Sequence, residues 1–198
     1  MPLPAAPPLP DTRRRILALA EGLLLERGFN AFSYQHIARE LGVKPAAIHY
    51  HFPSKDDLGL ALVQQQLRRL RKWRDLPRVA DLPPAAQLEA LLTVYVGHLA
   101  LDRRVCLFGA LAADFLTLPP AMQAELQTFN RELTDWLAQV LAAGRATATL
   151  RFVGSPAAKA LQVLTTLAGA LQVARVHDET PFRAILAQLR LELLASDA

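Results

Sequence analysis

The stretch 34–51 constrains the fold most, because its residues spell two short helices separated by a tight turn. Ser33 can cap the first helix, and Gly42 can end it because glycine accepts positive φ without steric cost. Pro45 suits the first turn of a second helix that runs to about Tyr50. The spacing therefore predicts a compact helical hairpin in this part of the chain.

Three positions indicate which kind of hairpin this is. Ala38 is small where the two helices would cross, Gly42 lies in the turn, and Ile48 can anchor the second helix to the core. This combination is the packing signature of a helix-turn-helix, whose second helix lies in the DNA major groove. An ordinary helical hairpin with a glycine turn remains the alternative. In a DNA-binding unit of about 34–53, the outward residues would be Lys44, Ala46, Ala47, His49 and Tyr50.

The charge distribution agrees with a polyanion partner for this region. Residues 1–74 hold 12 Lys and Arg against 6 Asp and Glu, whereas the remainder holds 10 against 12, giving the net +4 of the chain. A basic first third joined to a slightly acidic remainder favours a nucleic-acid-binding module attached to a second unit. A merely solvated charged surface would produce the same pattern.

The rest of the chain is rich in Leu and Ala and carries helical hydrophobic spacing throughout, which predicts an all-α fold of about nine helices. The proline-rich break at 77–84 suggests a domain boundary. We therefore expect a disordered lead-in at 1–10, a DNA-binding domain at 11–71, and a C-terminal effector-binding and dimerisation domain at 77–198. Beyond 11–28, 34–41, 45–50 and the long fourth helix after Ser54, the predicted helices are 85–101, 105–116, 120–143, 155–176 and 181–194.

Several classes of protein are disfavoured. The single Cys106 excludes an intramolecular disulfide and a zinc site of paired cysteines, and residues 1–10 do not resemble a signal peptide. No window comes near the roughly 18 uncharged apolar residues of a membrane span. His36, His49 and His51 lack metal-ligand spacing. We therefore expect a soluble, cytoplasmic protein without metal, cofactor or membrane partner.

A longer motif now identifies a resemblance. The run Ile-His-Tyr-His-Phe-Pro-Ser-Lys-Asp-Asp-Leu at 48–58 is similar to that of the TetR/AcrR family of bacterial transcription regulators. The resemblance implies an N-terminal helix-turn-helix bundle, a long fourth helix acting as a lever, a larger effector-binding domain, and a homodimer on a palindromic operator. It favours a repressor over an activator. Weaker matching positions are Arg14, Ile16, Gly28, Phe29, Ser33, Ile37, Ala38 and 41–43.

The same resemblance assigns roles to individual residues. Ser33 would cap the second helix and touch a phosphate, and Lys44 would open the recognition helix. His49 falls where the family often has tyrosine, so that Tyr50 could supply the aromatic hydroxyl instead. Lys55 would contact a phosphate at the start of the fourth helix, where the free amides already favour an anion.

The second domain gives weaker signals. Aromatic and polar residues at helical spacing are candidates for an effector pocket, although plain core packing is the favoured explanation for each of them. Asp114, Arg103 and Arg104 are expected to be solvated. The phrase Cys-Leu-Phe-Gly-Ala from Cys106 resembles a subgroup that includes electrophile-responsive repressors, so Cys106 is a possible sensor as well as a possible buried hydrophobe. The pocket candidates are Tyr95, His98, Phe108, Phe115, Phe129 and Trp136.

The last two helices predict a dimer seam. Apolar stripes on 157–171 and 182–193 could form a four-helix interface between two subunits, or could be buried within one subunit. Rival functions remain open at this stage: a helical small-molecule-binding protein, an enzyme without a recognisable motif, and a protein-binding adaptor. Catalytic signatures such as a nucleophile elbow or a Gly-rich phosphate loop are missing, so we expect no enzyme.

Overall fold

A computed structural model describes residues 10–99 and 104–195, and within them the protein is all-α, as predicted. The lead-in at 1–9 and Arg103 lie outside the described residues. Ten α-helices and one 3-10 turn, Phe115–Thr117, follow one another along these segments. The helices are α1 Pro10–Arg27, α2 Tyr34–Leu41, α3 Pro45–His51, α4 Lys55–Arg74, α5 Pro77–Ala80, α6 Pro84–Leu99, α7 Leu107–Leu111, α8 Pro120–Ala146, α9 Pro156–Val176 and α10 Thr180–Leu193.

Local chemistry fixes the ends of the first four helices. Gly28 and Gly42 follow α1 and α2 with φ of +84° and +65°, the left-handed conformation that favours glycine at a helix end. At the start of α4, the Ser54 amide donates to Asp57 Oδ2 at 2.9 Å, and the Asp57 amide donates back to Ser54 Oγ at 3.1 Å. This reciprocal capping box satisfies two amides that the helix leaves free.

Three predicted boundaries were wrong. Helix α1 already includes Pro10 instead of beginning after a cap at Asp11 or Thr12. The helix expected over 105–116 is only Leu107–Leu111, because the chain tightens into i to i+3 hydrogen bonds that lead into the 3-10 turn. Helix α8 continues past Gly144 to Ala146. The glycine leaves room for Leu150, which packs where a side chain at position 144 would lie, and it does not end the helix.

The core is continuous from the first helix to the last. Helix α8 packs against α4, α6 and α9, and α9 also packs against α10, while α1 contacts α2, α3, α4 and α7. One hydrophobic cluster includes Ile16 of α1, Leu62 of α4, Leu137 of α8 and Phe182 of α10. The small N-terminal bundle is therefore joined to the larger helical body through the buried side of α4.

Helix α9 corrects two expectations. It is long and apolar enough to meet the criteria of a membrane span, with 44% of that window buried inside the protein, so the statement that no window comes near them was too strict. Most of the stripe predicted for the dimer seam, including Leu164, Leu167 and Leu171, is buried in the protein's own core. The large apolar side chains that stay exposed on α9 and α10 are Leu161, Val173, Val176 and Leu191.

Candidate nucleic-acid interface and internal cavity

Helices α2 and α3 form a two-faced unit, here called the helix-turn-helix unit (Tyr34–His51). Ile48 is fully buried and anchors α3, and Ala38 is buried at the crossing. The Val43 amide donates to the Ala38 carbonyl oxygen at 3.0 Å, which closes the turn after Gly42. The inner side of α3 is thus fixed against its predecessor, and its outer side is left in solvent.

Tyr34 fastens this unit to the start of α4. Its hydroxyl donates to the Phe52 carbonyl oxygen at 2.9 Å and also contacts the carbonyl oxygen of Ser54. Burial, followed by the nearby charges of Asp57 and Asp56, raises the pKa of Tyr34 to about 12, so the hydroxyl keeps its proton at neutral pH. Sequence reasoning overlooked this residue, because its hydroxyl bonds to backbone carbonyl oxygens 18 and 20 residues further along the chain.

The residues predicted to face DNA on α3 are arranged as a surface. Lys44, Ala46, His49 and Tyr50 are exposed, with 72% of Tyr50 accessible, and Ala47 is half-buried. The ring of Tyr50 lies edge-on to that of His51, whose centroid is 5.1 Å away. The geometry is that of a short helix offering one complete face to a partner.

His49 is partly held by the protein itself. Its ring packs edge-on against Tyr34 with centroids 4.7 Å apart, and its Nδ1 atom is 3.2 Å from the Pro53 carbonyl oxygen. It borders a shallow surface depression together with Ser33 and Lys55, both half-buried. Three of the predicted contact residues, drawn from three different stretches of the chain, therefore meet at one place.

Lys55 is less free than the sequence suggests. Its Nζ atom lies 4.7 Å and 4.9 Å from the ring centroids of Phe29 and Phe32, so the ammonium group rests on two aromatic faces. Burial lowers the pKa of Lys55, and the charges of Asp56 and Asp114 act in the opposite direction. The ammonium group is therefore partly covered by these rings and partly open to solvent.

A cavity of about 450 Å³ lies where α1, α4, α6, α7, α8, α9 and the segment before α7 meet. Four of the six predicted pocket residues line it: Tyr95, His98, Phe108 and Phe129. The other two do not. Phe115 follows the end of α7 in the 3-10 turn, and Trp136 is among the buried core residues, with its ring edge-on to that of Trp73 at 5.1 Å.

The sequence analysis missed the wall that comes from the N-terminal part of the chain. Leu70 and Trp73 of α4 and Glu21 of α1 face the cavity, opposite α9 residues such as Leu164. Glu21 accepts hydrogen bonds from Arg69, Gln65 and Gln66 of α4, with the Arg69 Nη1 to Oε1 distance at 2.5 Å. The sequence spacing of these residues does not predict a cavity, because they come together only when α1 and α4 pack against the helices of the C-terminal part.

Cys106 lies in the cavity wall and is 8% exposed. Its Sγ atom accepts a hydrogen bond from the Gly109 amide at 3.4 Å at the start of α7. Burial nevertheless raises the pKa of the thiol above its ordinary value, with the backbone amides of Gly109, Cys106 and Phe108 opposing. A low-pKa sensor thiol would require the opposite balance. Within the described residues no cluster of three or more His, Cys, Asp or Glu could hold a metal ion.

Comparisons with known proteins agree with this architecture. Residues 16–62 match the family model described as bacterial regulatory proteins, tetR family, and residues 84–189 match the tetracyclin repressor-like C-terminal domain. The HTH-type transcriptional repressor NemR of Escherichia coli is 26% identical over 167 residues, which cover 79% of this chain and 80% of NemR.

Solved structures give the same result. A TetR-family transcriptional regulator from Agrobacterium tumefaciens superposes with a TM-score of 0.83 at 32% identity, covering 92% of this chain and 97% of its own. A TetR transcriptional regulator from Legionella pneumophila gives a TM-score of 0.81 at 29% identity, covering 96% and 98%. Both similarities extend over the helix-turn-helix unit and the helices that enclose the cavity.

Proposed function

The chain belongs to the TetR family of bacterial regulatory proteins, and we propose that it is a ligand-responsive, DNA-binding transcriptional repressor that leaves a palindromic operator when a small molecule fills the cavity. The observation that carries the proposal is the two-faced α3. Ile48 is fully buried on one side while Tyr50 is 72% exposed on the other. A short helix held in this way can enter a major groove without losing its packing.

We assign DNA contacts to Lys44, Ala46, Ala47, His49 and Tyr50 on α3, and phosphate contacts to Ser33 and Lys55. The basic charge of the N-terminal third supports this assignment, as do the exposed Arg13, Arg14 and Arg15 on α1. The proposed division of the chain is a DNA-binding domain at 11–71 and an effector-binding and dimerisation domain at 77–198.

A homodimer follows from the exposed apolar side chains of α9 and α10. Leu161, Val173, Val176 and Leu191 are between 41% and 75% exposed, on the two helices that end the fold. A second copy would cover them, and its two-fold axis would match a palindromic operator. Sedimentation equilibrium tests this step: Val173→Asp together with Val176→Asp should shift the dimer towards monomer, whereas Val153→Asp, at a 93% exposed loop position, should not.

The cavity supports the ligand response because its wall includes both units. A molecule inside it would touch α1 through Glu21 and the lever helix α4 through Trp73, so that filling it can favour one arrangement of the DNA-binding units over another. Cys106 belongs to this wall as a packing residue. Electrophile sensing through its thiol is the weaker alternative, since burial raises the pKa of the thiol.

A gel-shift titration tests DNA binding, with duplex DNA taken from upstream of the protein's own coding region. The wild type should bind selectively and lose affinity with added salt. The combined Lys44→Ala and Tyr50→Ala variant should lose roughly a hundredfold in affinity while its thermal unfolding stays unchanged, because both side chains are exposed. Arg183→Ala, an exposed position on α10, is the control. A folded double variant with wild-type affinity would refute the assignment.

A further inference from the structure

The cavity has one polar end, formed by Glu21 of α1, Arg69 of α4, His98 of α6 and Arg104 before α7. The remaining wall is mostly apolar and includes the aromatic rings of Trp73, Phe108 and Phe129. A cavity of this kind takes a mainly hydrocarbon ligand whose orientation is set by a few polar groups. The charges at the polar end therefore indicate which polar group the ligand carries.

The negative charge at this end is already compensated. Both carboxylate oxygens of Glu21 accept from Arg69 Nη1, at 2.5 and 2.6 Å, and the amides of Gln66 and Gln65 donate at 2.6 and 3.0 Å. A carboxylate with four such contacts has little need of a cationic ligand. Glu21 and Arg69 together add no net charge to this end.

Arg104 is the charge that is left over. The sequence analysis expected it to be solvated, but it is half-buried and its Nε atom is shielded from solvent without a hydrogen-bond partner in the described part of the chain. Arg104 takes part in none of the ion pairs found among those residues. A half-buried guanidinium that has no ion-pair partner among these residues gains free energy when an anion reaches it.

Gly22 explains how the guanidinium is seated. A Cβ atom at this position of α1 would lie 2.8 Å from Arg104 Nη2 and 3.3 Å from its Cζ. The missing side chain therefore lets the guanidinium lie directly against the helix, next to Glu21. An alanine there would push the flexible end of Arg104 away from its present place.

His98 provides a second donor beside Arg104. Its Nδ1 atom is buried and has no hydrogen-bond partner among the described residues. Burial lowers the pKa of His98, Arg104 lowers it further, and Glu21 raises it, so the ring is neutral at pH 7. A neutral imidazole can carry its proton on Nδ1 and donate it to an anionic oxygen.

From this geometry we propose that the effector is an apolar carboxylate whose anionic group pairs with Arg104 and His98 while its hydrocarbon part fills the aromatic section of the cavity. The inference rests on the proposed function only in taking this cavity as the effector site. A cationic ligand fits less well, because Glu21 is already satisfied and Arg104 would repel it.

Isothermal titration of the full-length protein without DNA tests the ligand class. The probes share one skeleton and differ in one group: 6-phenylhexanoate, 6-phenylhexanamide and 6-phenylhexylammonium. We expect the carboxylate to bind roughly tenfold or more tightly than the amide, since hydrogen bonds to charged groups are the stronger ones. Arg104→Met should remove this preference and leave amide binding within about twofold. Arg131→Met, at an exposed position on α8 outside the cavity, should keep it.

The Gly22→Ala variant separates a loss of binding that is caused by moving Arg104 from one that is caused by a damaged fold. Alanine favours the helix, so this variant should unfold at a higher temperature than the wild type while binding the carboxylate more weakly, because Arg104 is displaced. Equal affinity for carboxylate and amide would overturn the proposal, as would failure of all three probes to bind. A preference for the ammonium probe, or a carboxylate preference that survives in Arg104→Met, would overturn it as well.

The result can be separated from that of the proposed function because no DNA is present in the titration. A carboxylate preference that depends on Arg104, in a protein that never binds or releases an operator, would keep the ligand class and refute the regulator. A protein that releases DNA on binding a neutral or cationic molecule would keep the proposed regulator and refute the proposed ligand class.

Discussion

The proposed DNA-contacting residues of the helix-turn-helix unit and its flanks all lie within 33–55, whereas the cavity takes its wall from residues as far apart as Glu21 and Ala168. In the first region, caps, a turn glycine and one buried anchor place the functional side chains. In the second, side chains from six helices and one loop meet only because the helices pack. A local change should therefore disable the first region alone, while the cavity responds to changes in either unit.

The largest expected effect comes from removing the anchor of α3. Ile48→Ala leaves a void at a fully buried position and should lower the free energy of unfolding by about 2–4 kcal/mol. DNA affinity should fall with it, while the fluorescence of Trp73 and Trp136 in the effector part stays that of the wild type. Val153→Ala, at a 93% exposed position, is the matched control. If the tryptophan environment changed as much as DNA binding did, the two regions would not be independent.

A smaller effect should follow from removing the hydroxyl contacts that join the helix-turn-helix unit to the start of α4. Tyr34→Phe removes the hydroxyl that donates to the Phe52 carbonyl oxygen and contacts that of Ser54, so we expect a loss of about 1–2 kcal/mol in urea unfolding. Tyr50→Phe also removes a hydroxyl, but from a ring that is 72% exposed, and should leave stability unchanged. Equal stability of the two variants would show that Tyr34 contributes only its ring.

The same contrast explains what the sequence could predict. The ends of α2 and the start of α4 follow from Gly42 and from the Ser54–Asp57 capping box, both readable within a few residues. Helix α8 ran past its predicted end because only the fold brings Leu150 against Gly144. Helical spacing describes each helix separately, and it predicts four of the residues that line the cavity: Tyr95, His98, Phe108 and Phe129.

The remainder of the cavity could not be predicted for the same reason. The contribution of Glu21 depends on how α1 lies against α4, a relation between elements that no local pattern contains. Arg104 was expected in solvent because the residues next to it in the sequence do not indicate that it packs against Gly22 of α1. Both residues lie on the α1 side of the cavity, where segments that are distant along the chain meet.

Glu21→Gln would sharpen the comparison, because Glu21 ties α1 to α4 at the cavity. The stability loss should stay below about 1 kcal/mol, since the Arg69 side chain is 54% exposed. DNA affinity without ligand should be unchanged, but the fall in affinity caused by 6-phenylhexanoate should become smaller. Glu26→Gln is the control, because Glu26 pairs only with its neighbour Arg27 among the described residues. An unaltered ligand effect in Glu21→Gln would place the coupling elsewhere.

The smallest expected effect concerns Cys106, the cysteine in the cavity wall. Burial raises the pKa of Cys106, so its thiolate is scarcer near neutral pH than that of a free cysteine and forms only at higher pH. Iodoacetamide should therefore modify the folded protein slowly, with a rate that climbs with pH beyond the ordinary cysteine range, and 6-phenylhexanoate should slow it further by filling the space beside Sγ. Protein unfolded in guanidinium should react at the rate of a free cysteine. Rapid modification of the folded protein at pH 7 would instead restore the sensor hypothesis, and with it a cavity that responds to covalent chemistry as well as to binding.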